Sequence, residues 1–110
     1  MKKISRQANR IKKYILMDIK KSNINEPIKS KVLERRYGVS GSTIRQAIHH
    51  LRVVDKEPIC SDANGYFFPR DKFEISHTIA QLRSRVREIN DVANSIEAYF
   101  SMESQQGLGL

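Results

Sequence analysis

Apolar residues in the first half of the chain recur every three or four positions, which is the spacing of a buried helix face. This pattern predicts a first helix from about Ser5 to Lys21, which Asn23 and Pro27 end. A short second helix is expected over Lys29–Tyr37 and a third over Gly41–Val53. The inward stripe of the first helix is Ala8, Ile11, Ile15 and Ile19, Val32 and Leu33 belong to the second helix, and Ile44, Ala47, Ile48 and Leu51 form the inward face of the third.

The junction between the second and third helices carries a tight-turn signature. Gly38 supplies a left-handed residue that stops one helix, Val39 is an apolar plug, and Ser40 caps the next helix. The outward face of the third helix then carries Ser42, Arg45, Gln46 and His49. Side chains of this kind reach base edges and phosphates from a helix in the major groove. An ordinary helical hairpin with a solvated polar face is the alternative interpretation.

The pattern changes to β-prone runs after the third helix. Ile59–Ser61 and Tyr66–Phe68 flank Asn64-Gly65, a dipeptide that strongly favours a hairpin turn. Ile28 could add a one-residue bridge to this hairpin. Three adjacent aromatic residues in the second run could stack on single-stranded bases. Alternate residues of a hairpin face inward, so two of the three are expected in the core.

The segment from Ile4 to Pro69 resembles the winged-helix proteins of bacteria, phages and mobile elements. The resemblance rests on KVLERRYGVSGSTIRQAIHHL at Lys31–Leu51 and on the following PICSDANGYFFP. It implies three helices and a two-stranded wing, with the third helix in the major groove of DNA. Two positions depart from the pattern. Glu34 replaces a small residue, and the wing tip offers Asp62 without a lysine or arginine, which argues against insertion into the minor groove.

A long helix is expected after the hairpin. Asp71 and Glu74 have the spacing of a capping box, and apolar residues then alternate at intervals of four and three, as in a coiled coil. A domain of about 70 residues is too small to cover such a seam, so a second chain is expected on it; the alternative is a helix that folds back beside the first helix. The predicted dimerisation residues are Ile75, Ile79, Leu82, Val86, Ile89, Ala93, Ile96 and Phe100.

The heptad flanks favour an antiparallel dimer. A parallel pair gives no opposite-charge contacts at these positions, whereas a crossing near Asp91 brings Arg83 close to Glu97 of the other chain. The predicted organisation is therefore mainly α with a small β-hairpin. A winged-helix domain over residues 1–70 precedes a dimerisation helix over residues 71–102 and a flexible tail over residues 103–110.

Charge is divided unequally along the chain. The formal net charge is +8, but residues 1–58 contain 15 lysines and arginines against 5 acids, and residues 59–110 contain 5 against 7. The first part therefore carries +10 and the second −2. A polyanion is the expected partner of the basic part, which coincides with the helix-turn-helix. The alternative is that the excess charge serves only solubility.

Several other classes of protein are disfavoured by the sequence. No apolar run of roughly 18 residues exists for a membrane span, and the N-terminal segment lacks the apolar core of a secretory signal, so a cytoplasmic protein is expected. Cys60, the single cysteine, cannot form an intrachain disulfide. The histidines at 49, 50 and 77 lack metal-ligand spacing, and neither a phosphate loop nor a nucleophile elbow is present. We therefore expect no enzyme, metal or cofactor.

The leading hypothesis is sequence-specific binding of double-stranded DNA by a dimeric transcriptional regulator. Arg45 is expected to read guanine and Gln46 adenine, with Ser42 and His49 as secondary contacts. A protein-protein interaction module on the same scaffold is the alternative, and an enzyme ranks third. The remaining predicted DNA contacts are the phosphate-binding candidates Lys31, Arg35, Arg36, Thr43 and Arg52, together with Asn64 at the hairpin tip.

Overall fold

The computed structural model describes residues 3–105, of which the greater part is helical. The chain divides into two units, the first ending at Thr78 and the second beginning at Ile79. A two-stranded antiparallel hairpin lies between the third helix and a long C-terminal helix. The elements in chain order are α1 (Arg6–Lys20), α2 (Ser30–Tyr37), α3 (Gly41–Val53), β1 (Cys60–Asp62), β2 (Gly65–Phe67) and α4 (Lys72–Gln105).

The ends of the first three helices agree with the signals in the sequence. The Ser5 hydroxyl accepts a hydrogen bond from the Ala8 amide at 3.1 Å, and Ser40 caps α3 by accepting from the Thr43 amide at 3.2 Å. Gly38 ends α2 in the left-handed region at φ 61°, and its amide donates to the Glu34 carbonyl. These caps satisfy backbone groups that have no partner within a helix.

The core of the first unit lies between α1 and α3. Every predicted inward residue of these two helices is buried, and Leu33 is the buried residue of α2. Val39 is half-buried against this core, as expected for the plug of the turn. Ile59 joins this core from the hairpin side, and Tyr66 and Phe68 pack against it, whereas Phe67 is buried outside this cluster. The predicted periodicity is therefore confirmed for α1 and α3.

The hairpin turn lies one residue earlier than the sequence indicated. Cys60 pairs with Phe67 and Asp62 with Gly65, so Ala63 and Asn64 form the turn and Gly65 is the first residue of β2. The Asp62 carboxylate supports this turn by accepting from the Asn64 amide at 2.8 Å. The expectation that Asn64-Gly65 forms the centre of the turn was wrong.

Gly65 is required by a close approach of the backbone at Ile28. Ile28 and Tyr66 exchange two backbone hydrogen bonds of 2.8 Å, which confirms the predicted one-residue bridge. Gly65 has φ +139°, and a Cβ at this position would lie 2.5 Å from the Ile28 carbonyl oxygen. Glycine at position 65 therefore allows the backbone of β2 to approach Ile28 closely enough to form the bridge.

The first two turns of α4 pack on β1 within the first unit. The Asp71 carboxylate accepts from the Glu74 amide at 3.0 Å, and the Glu74 carboxylate accepts from the Arg70 amide at 3.1 Å. The Thr78 hydroxyl lies 3.4 Å from the Ser61 amide nitrogen and 3.5 Å from its carbonyl oxygen. The compact unit therefore continues to Thr78.

The far end of α4 is longer than the sequence indicated. The tail was expected to begin at residue 103, but the helix continues to Gln105. Residues 103–105 are thus helical, and residues 106–110 of the predicted flexible tail lie outside the described residues.

A Gly65→Ala substitution is expected to destabilise the first unit more than Gly38→Ala. Alanine at Gly38 meets no atom within 4 Å, so its cost is the left-handed backbone alone, roughly 1–2 kcal/mol. Alanine at Gly65 adds the collision with Ile28, which costs roughly 1–3 kcal/mol more. Urea denaturation of the two variants measures the difference. Equal losses of unfolding free energy would contradict the assigned role of the Ile28 bridge.

Candidate nucleic-acid interface

The outward face of α3 carries three polar side chains that are open to solvent. Ser42, Arg45 and His49 are exposed and lie on the side of the helix opposite the buried Ile44 and Ile48. Within residues 3–105, none of these three side chains has a hydrogen-bond or ion-pair partner. Their donors and acceptors are therefore available to an external ligand.

Two other predicted contacts of α3 face the first helix instead. The Gln46 side-chain oxygen accepts from the Ser5 amide at 2.8 Å, and the Thr43 hydroxyl donates to the Gln7 side-chain oxygen at 3.4 Å. Recognition of adenine by glutamine uses its amide oxygen and nitrogen together. Gln46 would have to release Ser5 to read adenine, so it positions α1 in the free chain.

Arg52 is used inside the first unit, where it connects α3 to the hairpin. Its Nε donates to the Ile59 carbonyl at 2.9 Å, and its Nη2 donates to the Ser61 hydroxyl at 3.2 Å. The guanidinium also lies 5.8 Å from the centre of the Tyr66 ring. Arg52, which the sequence predicts as a phosphate contact, is half-buried in the free chain and holds β1 against α3.

The basic residues of α2 differ in their surroundings. Lys31 and Arg35 are exposed and have no ion-pair partner among the described residues. Arg36 lies 3.1 Å from the Asp18 carboxylate of α1, which also accepts a hydrogen bond from the Tyr37 hydroxyl. Burial and the bond to Asp18 raise the pKa of Tyr37 to about 12. Arg36 therefore helps to hold α2 against α1, while Lys31 and Arg35 remain available.

Glu34 places an acid beside Arg45 at the junction of α2 and α3. A Cβ on Gly41 would lie 3.3 Å from the Glu34 carboxylate and 3.3 Å from the Arg45 guanidinium. The space above Gly41 is thus shared by the two side chains. Glu34 is half-buried and also accepts from the Ser30 hydroxyl at 3.0 Å. The smaller residue expected here from the family pattern would leave Arg45 without this acidic neighbour.

The hairpin tip carries an acid and an amide. Asn64 is exposed and Asp62 is half-buried, and no lysine or arginine occurs among the four residues of the turn. The Asp62 carboxylate is occupied by the Asn64 amide. The tip therefore has no cationic group with which to enter a minor groove.

A charged cluster that the sequence did not reveal joins the end of α3 to α1. The Lys12 ammonium lies 2.8 Å from the Asp55 carboxylate and 2.9 Å from Nδ1 of His50. The hydrogen bond from Lys12 lowers the pKa of Asp55. Residues about 40 positions apart meet here, and no local pattern in the sequence could have indicated the contact. The cluster fixes the C-terminal end of α3.

Cys60 is buried on the hairpin, next to the first turn of α4. Its sulfur lies 3.7 Å from the Glu74 carbonyl oxygen, and burial raises the pKa of the thiol. A protonated, buried thiol is a poor nucleophile. Within residues 3–105, no group of three or more histidine, cysteine or acidic side chains is arranged to hold a metal ion.

The second unit is a helix with an unpartnered apolar face. Ile75, in the first unit, is half-buried. From Ile79 to Phe100, the large apolar residues of the predicted seam are between 37% exposed at Leu82 and 68% exposed at Ile89. Val92 and Tyr99, which flank the seam, are also exposed. Residues 3–105 of a single chain therefore leave these side chains exposed.

Comparisons with protein-family models, curated proteins and solved structures found no match to this chain. Among the described residues, no helix has both the length and the apolar character that a membrane span needs.

Arg52→Ala is expected to destabilise the first unit, whereas Arg45→Ala leaves its stability nearly unchanged. Loss of Arg52 removes hydrogen bonds to Ile59 and Ser61, and bonds to a charged group contribute roughly 1.5–3 kcal/mol. Arg45 is exposed, and surface substitutions of this type fall within about 0.5 kcal/mol. Urea denaturation followed by circular dichroism measures both. An Arg52 variant as stable as the wild type would show that the brace contributes nothing.

Proposed function

We propose that this chain is a dimeric winged-helix protein that binds double-stranded DNA sequence-specifically and regulates transcription. The observation that carries the proposal is the outward face of α3, where Ser42, Arg45 and His49 are exposed and have no partner among the described residues. A helix has the diameter to enter the major groove, where base edges present a distinct pattern of donors and acceptors for each base pair.

The roles of the residues follow from their positions. Arg45 has a guanidinium that can bind the two acceptors of guanine, and Ser42 and His49 lie on either side of it along the helix. Lys31 and Arg35 on α2 are the phosphate contacts that orient the domain. The positive balance of residues 1–58 supplies a salt-dependent share of affinity.

The hairpin has a supporting role in this proposal. Its acidic tip repels phosphate, so we do not place it in the minor groove. Arg52 joins β1 to α3, and the Ile28 bridge joins β2 to the segment before α2. The hairpin thereby holds the two helices that contact DNA.

The exposed face of α4 supports dimerisation with a second copy of this chain. Covering several exposed Ile, Leu, Val and Phe side chains is favourable by roughly 1.5–3 kcal/mol for each one that becomes fully buried. The seam keeps its heptad spacing through Phe100, which is the pattern by which two helices interlock.

Charges on α4 favour an antiparallel arrangement of the two copies. The basic residues of the second unit, Arg83, Arg85 and Arg87, come first along the helix, and its acidic residues, Glu88, Asp91, Glu97 and Glu103, all follow them. An antiparallel pair sets the basic part of one helix against the acidic part of the other. A parallel pair would set like charges side by side. In the antiparallel dimer, Arg83 is expected to contact Glu97 of the second copy.

A protein-binding module is the second candidate function. Phe73 is 76% exposed at the start of α4, and an exposed aromatic residue is typical of a protein contact. The acidic hairpin tip is compatible with the same interpretation. If the protein does not bind duplex DNA even at low salt, this second candidate is favoured over the first.

Arg45→Ala is expected to reduce affinity for a duplex selected from a random-sequence library by about 1–3 kcal/mol. Affinity for unselected duplex should change much less, because base contacts contribute only at the selected site. Fluorescence anisotropy with both duplexes measures the two losses, and His77→Ala on α4 is the control. An equal loss on both duplexes would show that Arg45 contacts phosphate only.

Ile89→Asp is expected to dissociate the dimer, since it places a charge in the middle of the seam. Asn94→Asp introduces the same charge off the seam and should leave the dimer intact. Sedimentation equilibrium at micromolar concentration measures the mass of each variant, and circular dichroism reports whether the helices persist. A wild-type chain that sediments as a monomer under these conditions would contradict the dimer.

A further inference from the structure

The outward side of α1 carries a row of basic residues. Arg6, Arg10, Lys13 and Lys20, here called the α1 stripe, recur at helical spacing, with Met17 completing the row. All four basic side chains are exposed. They lie half a turn away from the buried residues Ala8, Ile11, Ile15 and Ile19, because a helix turns once in about 3.6 residues.

The stripe has no acidic partner within the described residues. Asp18, the acid of α1, pairs with Arg36, and Lys12, on another side of α1, pairs with Asp55. The ammonium groups of Lys13 and Lys20 instead lie 5.1 Å and 5.8 Å from the centres of the Tyr14 and Phe68 rings.

The arrangement is electrostatically unfavourable for the free helix. Like charges three and four residues apart repel each other. No acidic residue occupies the first turn of α1, where Arg6 faces the positive end of the helix dipole. Local rules that are broken without compensation inside a fold occur typically at functional sites. A polyanion along the stripe would relieve the repulsion.

The stripe and the outward face of α3 point to different sides of the first unit. α1 and α3 pack through their buried faces, which share one core. The stripe is opposite the buried face of α1, and Arg45 and His49 are opposite the buried face of α3. A straight duplex in contact with α3 would therefore leave the stripe free.

We propose that the α1 stripe is a second nucleic-acid-binding surface, which holds the phosphate backbone of a duplex segment other than the one in contact with α3. The stripe extends about 21 Å from Arg6 to Lys20, at about 1.5 Å per residue. This length equals the rise of about six base pairs at 3.4 Å each. The proposal rests on the proposed function only in taking DNA as the polyanion.

The buried face of α1 argues for a duplex over a membrane surface. Helices that bind membranes insert an apolar face among the acyl chains. The apolar residues of α1 are buried in the core of the first unit and cannot insert. Only Tyr14 and Met17 are large exposed apolar residues of this helix. The stripe can therefore bind phosphates through its charges but cannot insert apolar side chains into a membrane.

The test counts duplexes bound to each full-length chain. A labelled 16-base-pair duplex of random sequence is titrated at low salt, and sedimentation velocity gives the number bound at saturation. The test variant combines Arg6→Gln, Arg10→Gln and Lys13→Gln, since glutamine has nearly the same helix propensity as arginine and lysine. The matched control combines Lys29→Gln, Lys56→Gln and Lys72→Gln, three exposed positions outside α1, α2 and α3.

The wild type and the control are expected to bind two duplexes per chain, and the stripe variant one. Its affinity for a duplex selected from a random-sequence library should stay within twofold of the wild-type value. In the wild type, the three side chains replaced in the stripe variant should contribute up to about three units to the log-log slope with which salt weakens the second binding event. Circular dichroism should show unchanged helix content.

Three results would overturn the proposal. The wild type could saturate at one duplex per chain. The stripe variant could bind the selected duplex tenfold more weakly, which would place the stripe in the same footprint as α3. The stripe could instead be needed for binding to phosphatidylglycerol vesicles and not for DNA. Failure of the proposed function gives a different result. In that case Arg45→Ala would not change the preference for the selected duplex over random duplex, while the stripe would still bind its own duplex.

Discussion

Packing of α1 against α3 is the contact on which the rest of the first unit depends. Ile11, Ile15 and Ile19 of α1 and Ile44 and Ile48 of α3 are all buried in one core. Each fully buried side chain of this size contributes roughly 1.5–3 kcal/mol relative to exposure. Because the apolar face of α3 is taken up in this way, its polar face must point to solvent. The orientation of the candidate DNA-binding surface is thus a consequence of the core.

Polar contacts around this core then restrict how α3 can rotate. Gln46 holds the start of α1 through the Ser5 amide, the Lys12, His50 and Asp55 cluster holds the end of α3, and Arg52 holds the hairpin. Residues used in this way are less available to a ligand. Arg45 and His49 differ because their side chains have no hydrogen-bond or ion-pair partner among the described residues. The division between positioning and binding residues follows from which side chains the fold leaves free.

Local features could be predicted from the sequence because they depend on neighbouring residues. The bounds of α3, the Ser40 cap and the left-handed Gly38 each follow from a few adjacent positions. The hairpin turn was misplaced by one residue because the placement of Gly65 depends on Ile28, which lies far away in the chain. The internal hydrogen bonds of Gln46 and Arg52 could not be predicted for the same reason. Their partners at Ser5, Ile59 and Ser61 become neighbours only after folding.

An NMR titration of the isotopically labelled full-length chain with a duplex selected from a random-sequence library tests most directly whether α3 binds DNA. If α3 reads the duplex, the backbone amide signals of Ser42, Arg45 and His49 should shift first and most, while those of Ala63 and Asn64 at the hairpin tip stay nearly constant. Large shifts at the hairpin tip, with unchanged signals along α3, would contradict DNA binding by α3.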